Sequence, residues 1–526
     1  MTRHCKRRLV PDASLIGLLA VIAAADVLPT ISAQQAPPAA VTAAVQAAPV
    51  ATAKPRVVVT TDPELDDSNS LVRYLLYSTD VTTEGLIYAS SGVHWKGDGK
   101  GTKWYVPGRE YTRFGLNVCP CESWRWAPDE RFIDAAVEAY AKSYENLKVH
   151  HPDYPDPQML RSKIRVGNIK FDGDISEDSD GSNLIRQLLL DRTDGPLYLL
   201  AWGGQSTIAR ALKSIQDQYS QSPDWLAVRK RVASKAIIQS FGDQDSTHRS
   251  YISIYWPDIE WRQMATQTYG YGARNAVLPD DLVYLSAAWT KANVSSRGAL
   301  GSLYRVWGDG KLMVQGDIFD YFGLTGLTAE EMKTRGFIVW TPVQEPGSWI
   351  SEGDTSTFMN LLANGLRSFE HALYGGWGGR GSAVDVGPGG PHPQYASARF
   401  FGAAQRDFAA RLRWAVTPMR ASANHEPVVT IAGALNRTAR AGEDVTLAGS
   451  ATDPDGNAVA ARWWQYGEAD TYPGQVSVAD AAAFQTTVRI PSDAGAGQTI
   501  HLILEVSDNG TPSLTRYQRV IITIVS

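Results

Sequence analysis

An apolar, β-branched run ends directly on three aspartates in the segment Arg56-Val-Val-Val-Thr-Thr-Asp-Pro-Glu-Leu-Asp-Asp67. The run predicts a buried strand over Arg56–Thr61. The following Ser-Asn-Ser-Leu-Val-Arg-Tyr-Leu-Leu predicts a helix whose first turn holds Asp66 and Asp67. A helix dipole favours acids there. Three carboxylates at one strand end still repel each other, and such a cluster calls for a cation or shared protons. A strand running into a helix is also where open α/β sheets place their ligands.

From Arg56 onward, short apolar runs alternate with amphipathic segments. Strands are predicted over Arg56–Thr61, Thr83–Ala89, Leu197–Trp202, Ala236–Ser240 and Gly336–Trp340. Helices are predicted over Ser68–Leu76, Glu130–Leu147, Asn183–Leu190, Ser206–Ser214 and Phe358–Leu362. This alternation predicts an α/β fold, a mostly parallel open sheet with helices on both faces. Beyond Pro418–Pro427 the helical periodicity stops. Short alternating strands follow at Val428–Ile431, Asp444–Ser450, Ala461–Tyr466, Gln485–Ile490, Thr499–Ser507 and Arg516–Ile524. Asp453-Pro-Asp-Gly-Asn457 and Asp508-Asn-Gly510 separate them as turns, and the pattern predicts an immunoglobulin-like β-sandwich. The expected domains are 55–420 for the α/β part and 424–526 for the sandwich. Asp453, Asp455 and Asp508 read as Asx turns in preference to a calcium site.

The amino terminus carries Arg3, Lys6, Arg7 and Arg8, then the apolar stretch Leu15 to Ala25, then small-residue sites ending at Ala33. This predicts an export signal over residues 1–33, followed by an Ala/Pro-rich spacer over 34–54. No other segment has the length and apolarity of a membrane span, so a secreted or periplasmic protein is expected. A net charge of −5 without a long basic block in the folded part disfavours nucleic acid and anionic membranes as partners. With 16 Trp, the composition leans toward sugar-stacking surfaces or long ordered loops, although buried indoles are the commoner use. Cys119 and Cys121, separated by Pro120, read as two free thiols or a strained local bridge.

Two further segments carry chemistry. In Tyr198-Leu-Leu-Ala-Trp-Gly-Gly-Gln-Ser-Thr-Ile-Ala-Arg210, a strand ends at Gly203-Gly204. Glycines there admit a close backbone approach, and the Trp202 carbonyl is free to complete a metal shell. In Ser348-Trp-Ile-Ser-Glu-Gly-Asp-Thr-Ser-Thr-Phe358, Glu352 and Asp354 bracket a glycine before an apolar helix. Asp354 is either a ligand or the cap of that helix. With no His or Cys beside the aspartates, Ca2+ fits better than Zn2+.

Taken in order, these segments resemble the nucleoside hydrolase superfamily. Its hallmark D-x-D-P-G-x-D-D-A is matched by Thr60-Thr-Asp-Pro-Glu-Leu-Asp-Asp-Ser68. A narrower resemblance covers nearly the whole chain after the spacer. It is to a family of cellulose-binding proteins with a nucleoside-hydrolase-like domain and a β-sandwich tail. Ser351-Glu-Gly-Asp-Thr355, Tyr374-Gly-Gly-Trp-Gly-Gly-Arg380 and Trp463-Trp-Gln-Tyr-Gly-Glu-Ala-Asp-Thr-Tyr472 carry it.

The resemblance implies a Ca2+ site made of Asp62, Asp66, Asp67, the Trp202 carbonyl and Asp354. It further implies that the ion holds two sugar hydroxyls and a water, and that Asp62 takes the proton of that water as it attacks the anomeric carbon, with inversion. Departures stand beside the matches. Thr60 replaces the first Asp of the motif and Glu64 its glycine, and Gly353 stands where a His often precedes the last metal Asp. Tyr251 and Ser253 fall where a Glu and an Asn contact ribose, and Ser90 or Ser91 is nearest to a second-strand Asn. The substrate-contact candidates are Glu352, Ser91 and Ser253. The expected function is an exported, calcium-dependent hydrolase of glycosyl bonds. Its partner is a carbohydrate or glycoside, with cellulose or another cell-wall polysaccharide as candidates. The alternative is a non-catalytic polysaccharide-binding protein on the same scaffold.

Overall fold

Continuous runs of valine and leucine, buried on both faces, build the centre of the molecule. In the computed structural model, residues 54–526 are described apart from 265, 382–384 and 388–389. The predicted signal over 1–33 and all but the last residue of the spacer lie outside the described residues. Six parallel strands form one sheet: β1 (Arg56–Thr61), β2 (Thr82–Tyr88), β3 (Ile164–Val166), β4 (Leu197–Ala201), β5 (Ala236–Ser240) and β6 (Glu260–Gln263). Their order is β3-β2-β1-β4-β5-β6.

Val57, Val59, Tyr198 and Leu200 face one side of the sheet. There they meet α1 (Leu65–Leu76), α2 (Phe132–His150) and α3 (Pro157–Ser162). Val58, Leu199 and Ile238 face the other side, under α4 (Asp180–Leu190), α5 (Ser206–Tyr219) and α6 (Trp225–Lys235). Both faces are thus covered, as a parallel sheet requires. The order reverses between β1 and β4, and the carboxyl ends of the strands at such a switch point are where open α/β sheets place their ligand crevice.

Two edge strands escaped the sequence reading. Both are short and partly exposed; β3 is the three-residue Ile-Arg-Val and β6 is the polar Glu-Trp-Arg-Gln, so neither has the apolar run that marks the central strands. The reverse error fell on Gly336–Trp340. It is irregular, and Phe337, Val339 and Trp340 pack instead beside Trp307, Tyr321 and Phe322.

After a two-stranded hairpin, β7 (Asp385–Gly387) and β8 (Gly390–His392), and the helices Tyr395–Ala398 and Phe401–Trp414, the chain enters the all-β part. Strands β9 (Val428–Ile431), β10 (Asn436–Arg440), β11 (Asp444–Thr452), β12 (Val459–Gln465), β13 (Ser477–Val478), β14 (Gln485–Arg489), β15 (Thr499–Asp508) and β16 (Thr515–Val525) make two four-stranded sheets. Leu447, Trp463, Val488, Leu502, Leu504, Val520 and Ile522 fill the space between them. The loop acids behave as turn formers. Asp453 Oδ1 accepts from the backbone N–H of Asp455 and Asn457, both at 2.9 Å, and Asp508 Oδ1 accepts from Gly510 and Leu514.

The sandwich is seated directly on the α/β part. Tyr466, Ile503 and Tyr517 belong to the same apolar core as α1 and α2. Tyr517 N donates to Asn364 O at 2.9 Å. A Cβ on Gly365 would lie 1.7 Å from the Tyr517 carbonyl oxygen, so only glycine admits this approach. Arg516 pairs with Asp407 of the helix Phe401–Trp414 at 2.7 Å.

Tryptophan is spent on the interior. Trp95, Trp202, Trp256, Trp377, Trp414 and Trp463 are fully buried, and no Trp among the described residues is exposed. The large exposed aromatics are Tyr105, Phe114 and Tyr255. Cys119 and Cys121 are joined in a disulfide across Pro120. No described helix is long and apolar enough to cross a membrane.

Candidate metal centre

The crevice collects loops from four neighbouring strands. Asp62 follows β1, and its Oδ1 accepts from Glu64 N at 3.1 Å. Asp67 turns back from the first turn of α1, where its Oδ1 accepts from Thr61 Oγ1 at 2.6 Å and from Asp62 N at 3.1 Å. A distant loop then closes onto α1. Asp66 Oδ2 accepts from Ser351 Oγ at 3.2 Å and from Gly353 N at 3.3 Å, and Asp354 brings its carboxyl against that of Asp67.

Two glycines make room for these acids. A Cβ on Gly203 would lie 2.6 Å from Asp62 Oδ2, and one on Gly353 would lie 2.7 Å from Asp66 Oδ2. The closure is encoded in α1 itself. Asp66, Asn69, Ser70 and Arg73 recur at helical spacing on one face. They bond in turn to Gly353, the Ser351 carbonyl, Thr355 and Glu352.

Five carboxyls therefore share one buried space: Asp62, Glu64, Asp66, Asp67 and Asp354. Burial pushes Asp66 up to about 6, with repulsion from Asp62 adding to it. Burial also lifts Asp67, with Asp354 its strongest repelling neighbour, and lifts Asp354, with Asp66 its strongest. Glu64 rises well above the ordinary range by burial and by repulsion from Asp66 and Asp62, against a smaller opposing pull from Arg125. That guanidinium is already engaged by Asp317 and Glu110.

Three polar side chains are left with orphaned atoms. Asp62 Oδ2, Asp354 Oδ1 and both ring nitrogens of His94 are buried without a hydrogen-bond partner. Unpaired carboxylate oxygens in such surroundings are costly unless a cation neutralises them. Two sets of ligand atoms lie within 4.8 Å of one another, Asp62–Glu64–His94 and Glu64–Asp66–Asp67. The residues present fit a bound divalent cation.

Compared with the sequence reading, the structure brings Asp62, Asp66, Asp67 and Asp354 together and adds two residues. Glu64, in the glycine position of the motif, belongs to both compact sets. His94, from the loop after β2, stands 3.3 Å from Asp62 Oδ1 and removes the premise that no imidazole is near. The available signal was topological: a His just past the end of the strand beside β1.

The Trp202 carbonyl accepts from Gln244 Nε2 at 2.7 Å, which leaves its second lone pair for another partner. The three expected sugar contacts are engaged elsewhere. Glu352 is fully buried and paired with Arg73. Ser91 Oγ accepts from Val93 N and His94 N, so it shapes the turn that carries His94. Ser253 is exposed and bonds only to the Arg249 carbonyl.

The family model described as "Cellulose-binding Sde182, nucleoside hydrolase-like domain" matches residues 56–380, more than half of the chain. The chain belongs to this family. Consistent with Sde182 family membership, residues 444–524 match the model described as "Cellulose-binding protein Sde0182, C-terminal domain". A solved structure of a nucleoside hydrolase-related hypothetical protein from Saccharophagus degradans, described as associated with carbohydrate metabolism, is similar over 90% of this chain and 100% of its own. The two share 26% identity with a TM-score of 0.65. No curated protein matches the chain.

Proposed function

We propose that this Sde182 family member is an exported, cation-dependent hydrolase of glycosyl bonds acting on a cell-wall saccharide. The observation that carries the reading is Asp62 Oδ2, a buried carboxylate oxygen with no partner among four other acids. Asp62, Asp66, Asp67, Asp354 and the Trp202 carbonyl would hold a hard dication such as Ca2+, whose chemistry here is to fix a sugar diol and to acidify a water.

The chain's own groups supply the rest. Glu64 N holds Asp62 Oδ1, which orients the carboxylate and leaves Oδ2 to accept the proton of the attacking water. Gly203 keeps that oxygen's surroundings free of a side chain. Access lies on the side of Glu64, whose side chain is partly exposed. Tyr271 donates to Glu64 at 3.4 Å there and stacks on Phe322, giving that side an aromatic wall.

Asp62→Asn is expected to keep the fold and to lower release of reducing sugar from a glycoside panel by about 100-fold or more. Equal release by both proteins removes the catalytic reading.

A second reading, polysaccharide binding without cleavage, draws support from the engagement of Glu352, Ser91 and Ser253 within the protein. The loop between β2 and α2 offers the surface. It exposes Tyr105 and Phe114, and its Arg125 faces Glu64. Replacing both Tyr105 and Phe114 by Ala is expected to weaken retention on insoluble cellulose by about 5- to 30-fold, or about 1–2 kcal/mol. Unchanged retention moves the binding surface elsewhere. Retention without sugar release by the native protein favours the second reading.

A further inference from the structure

We propose that the centre holds two divalent cations, with Glu64 bridging them and His94 ligating the second. The inference rests on the cation site proposed above and extends it. Its geometric basis is the arrangement of the two compact donor sets. Asp62, Glu64 and His94 form one, Glu64, Asp66 and Asp67 the other, and only Glu64 is common to both. Ligands of one ion at about 2.0–2.4 Å from it lie no more than about 4–5 Å apart. Asp62 joins the compact set of His94 and not that of Asp66 and Asp67 among the described residues, so the single shell described above divides: the first ion keeps Asp66, Asp67 and the shared Glu64, and Asp62 passes to the second.

His94 supplies the independent observation. Its ring is fully buried, and neither nitrogen has a hydrogen-bond partner. Nδ1 lies 3.3 Å from Asp62 Oδ1 and 4.0 Å from Glu64 Oε2. The first contact is close in distance but misaligned for a ring N–H, so His94 is not simply hydrogen-bonded to Asp62. These separations suit two edges of a coordination shell around an ion set between the three groups.

The backbone that carries the ring is also held in place before any ion arrives. Ser91 N donates to His94 O at 2.8 Å, Ser91 Oγ accepts from His94 N at 3.1 Å, and Trp95 N donates to Trp124 O at 3.0 Å. Gly92 lets this turn approach the Gln244 carbonyl, 2.6 Å from where a Cβ would stand.

Charge points the same way. One dication leaves most of five carboxylates unbalanced, whereas two nearly balance them. The donor types differ as well. Asp66, Asp67 and the shared Glu64 present oxygens alone and suit a hard ion. Asp62, Glu64 and His94 mix nitrogen with oxygen and suit a borderline ion of the Mn2+ or Zn2+ class.

The test is titration of the metal-stripped full-length protein with Zn2+ and separately with Ca2+, read by calorimetry, together with X-ray absorption at the zinc edge. Two equivalents of Zn2+ are expected, with an imidazole nitrogen in the zinc shell, against one equivalent of Ca2+. In His94→Ala the second zinc equivalent weakens by at least 100-fold and the nitrogen signal disappears, whereas Glu64→Gln, which alters the donor common to both sets, weakens both equivalents. Ca2+ binding to His94→Ala stays as in the native protein. One zinc equivalent with an all-oxygen shell, unchanged in His94→Ala, overturns the second site and leaves the aspartate site standing. No binding of either ion overturns both.

Discussion

Replacing Glu352 by Ala is expected to destabilise the protein by about 3–5 kcal/mol, the cost of leaving a buried guanidinium unpaired. Both side chains of the Arg73–Glu352 pair are fully buried. Arg73 Nε and Nη2 reach the carboxylate at 2.5 and 2.6 Å. Tyr304 OH, Trp349 Nε1 and Thr355 Oγ1 add three more donors, at 3.0, 3.2 and 2.9 Å. The guanidinium also lies 3.8 Å from the centroid of the Phe408 ring and donates to the Ala404 carbonyl. Its pKa is driven upward by the carboxylate against the pull of burial; once the partner is gone that support is lost, but a guanidinium is protonated so strongly on its own that Arg73 stays charged.

Urea unfolding measures the loss. Arg73→Met combined with Glu352→Leu is expected to cost less than the two single changes added together, because the double variant leaves no orphaned charge. A variant that keeps its stability and loses sugar binding instead would return Glu352 to the ligand surface. The effect extends to the site. Arg73 lies two turns along α1 from Asp66, so the pair locks the loop carrying Asp354 against the helix carrying Asp66 and Asp67.

That same stripe explains what the sequence displayed and what it concealed. The parallel sheet was legible because Val57 to Val59 and Leu197 to Leu200 are continuous apolar runs, and the sandwich because its strands alternate between turn signals. Asp62, Asp66 and Asp67 were legible because one strand-to-helix turn carries them all. Glu352 was misplaced because an arginine within a helix ordinarily reads as solvated. Nothing local marks Arg73 as the buried member of a polar face at 66, 69, 70 and 73. His94 was missed for a related reason. Its distance from Asp62 closes only when β2 pairs with β1, a long-range event that no window of sequence contains. Glu64 was noticed as a departure from a motif, but only the fold turns that departure into a donor common to both sets.

Removal of divalent cations is expected to reverse the ordinary dependence of stability on pH. In the cation-free protein, Asp66 is raised from 3.8 to about 6, and Glu64, Asp67 and Asp354 are also raised well above the usual carboxylate range, all chiefly by burial. The folded state therefore holds protons that the unfolded chain has released. Where the folded state binds more protons, stability falls as pH rises. For this cluster the fall begins above about pH 4 and continues through pH 6 and beyond. Asp66 alone accounts for about 3 kcal/mol by pH 8. A bound dication takes the place of the protons and removes that slope. It adds about 4 kcal/mol when present at a thousand times its dissociation constant. Thermal melts after chelation should thus show a lower midpoint at pH 8 than at pH 5.5, with Ca2+ restoring the midpoint mainly at pH 8. Identical midpoints for chelated and Ca2+-loaded protein at both pH values would mean that protons or fixed charges, rather than a cation, hold these five carboxyls together.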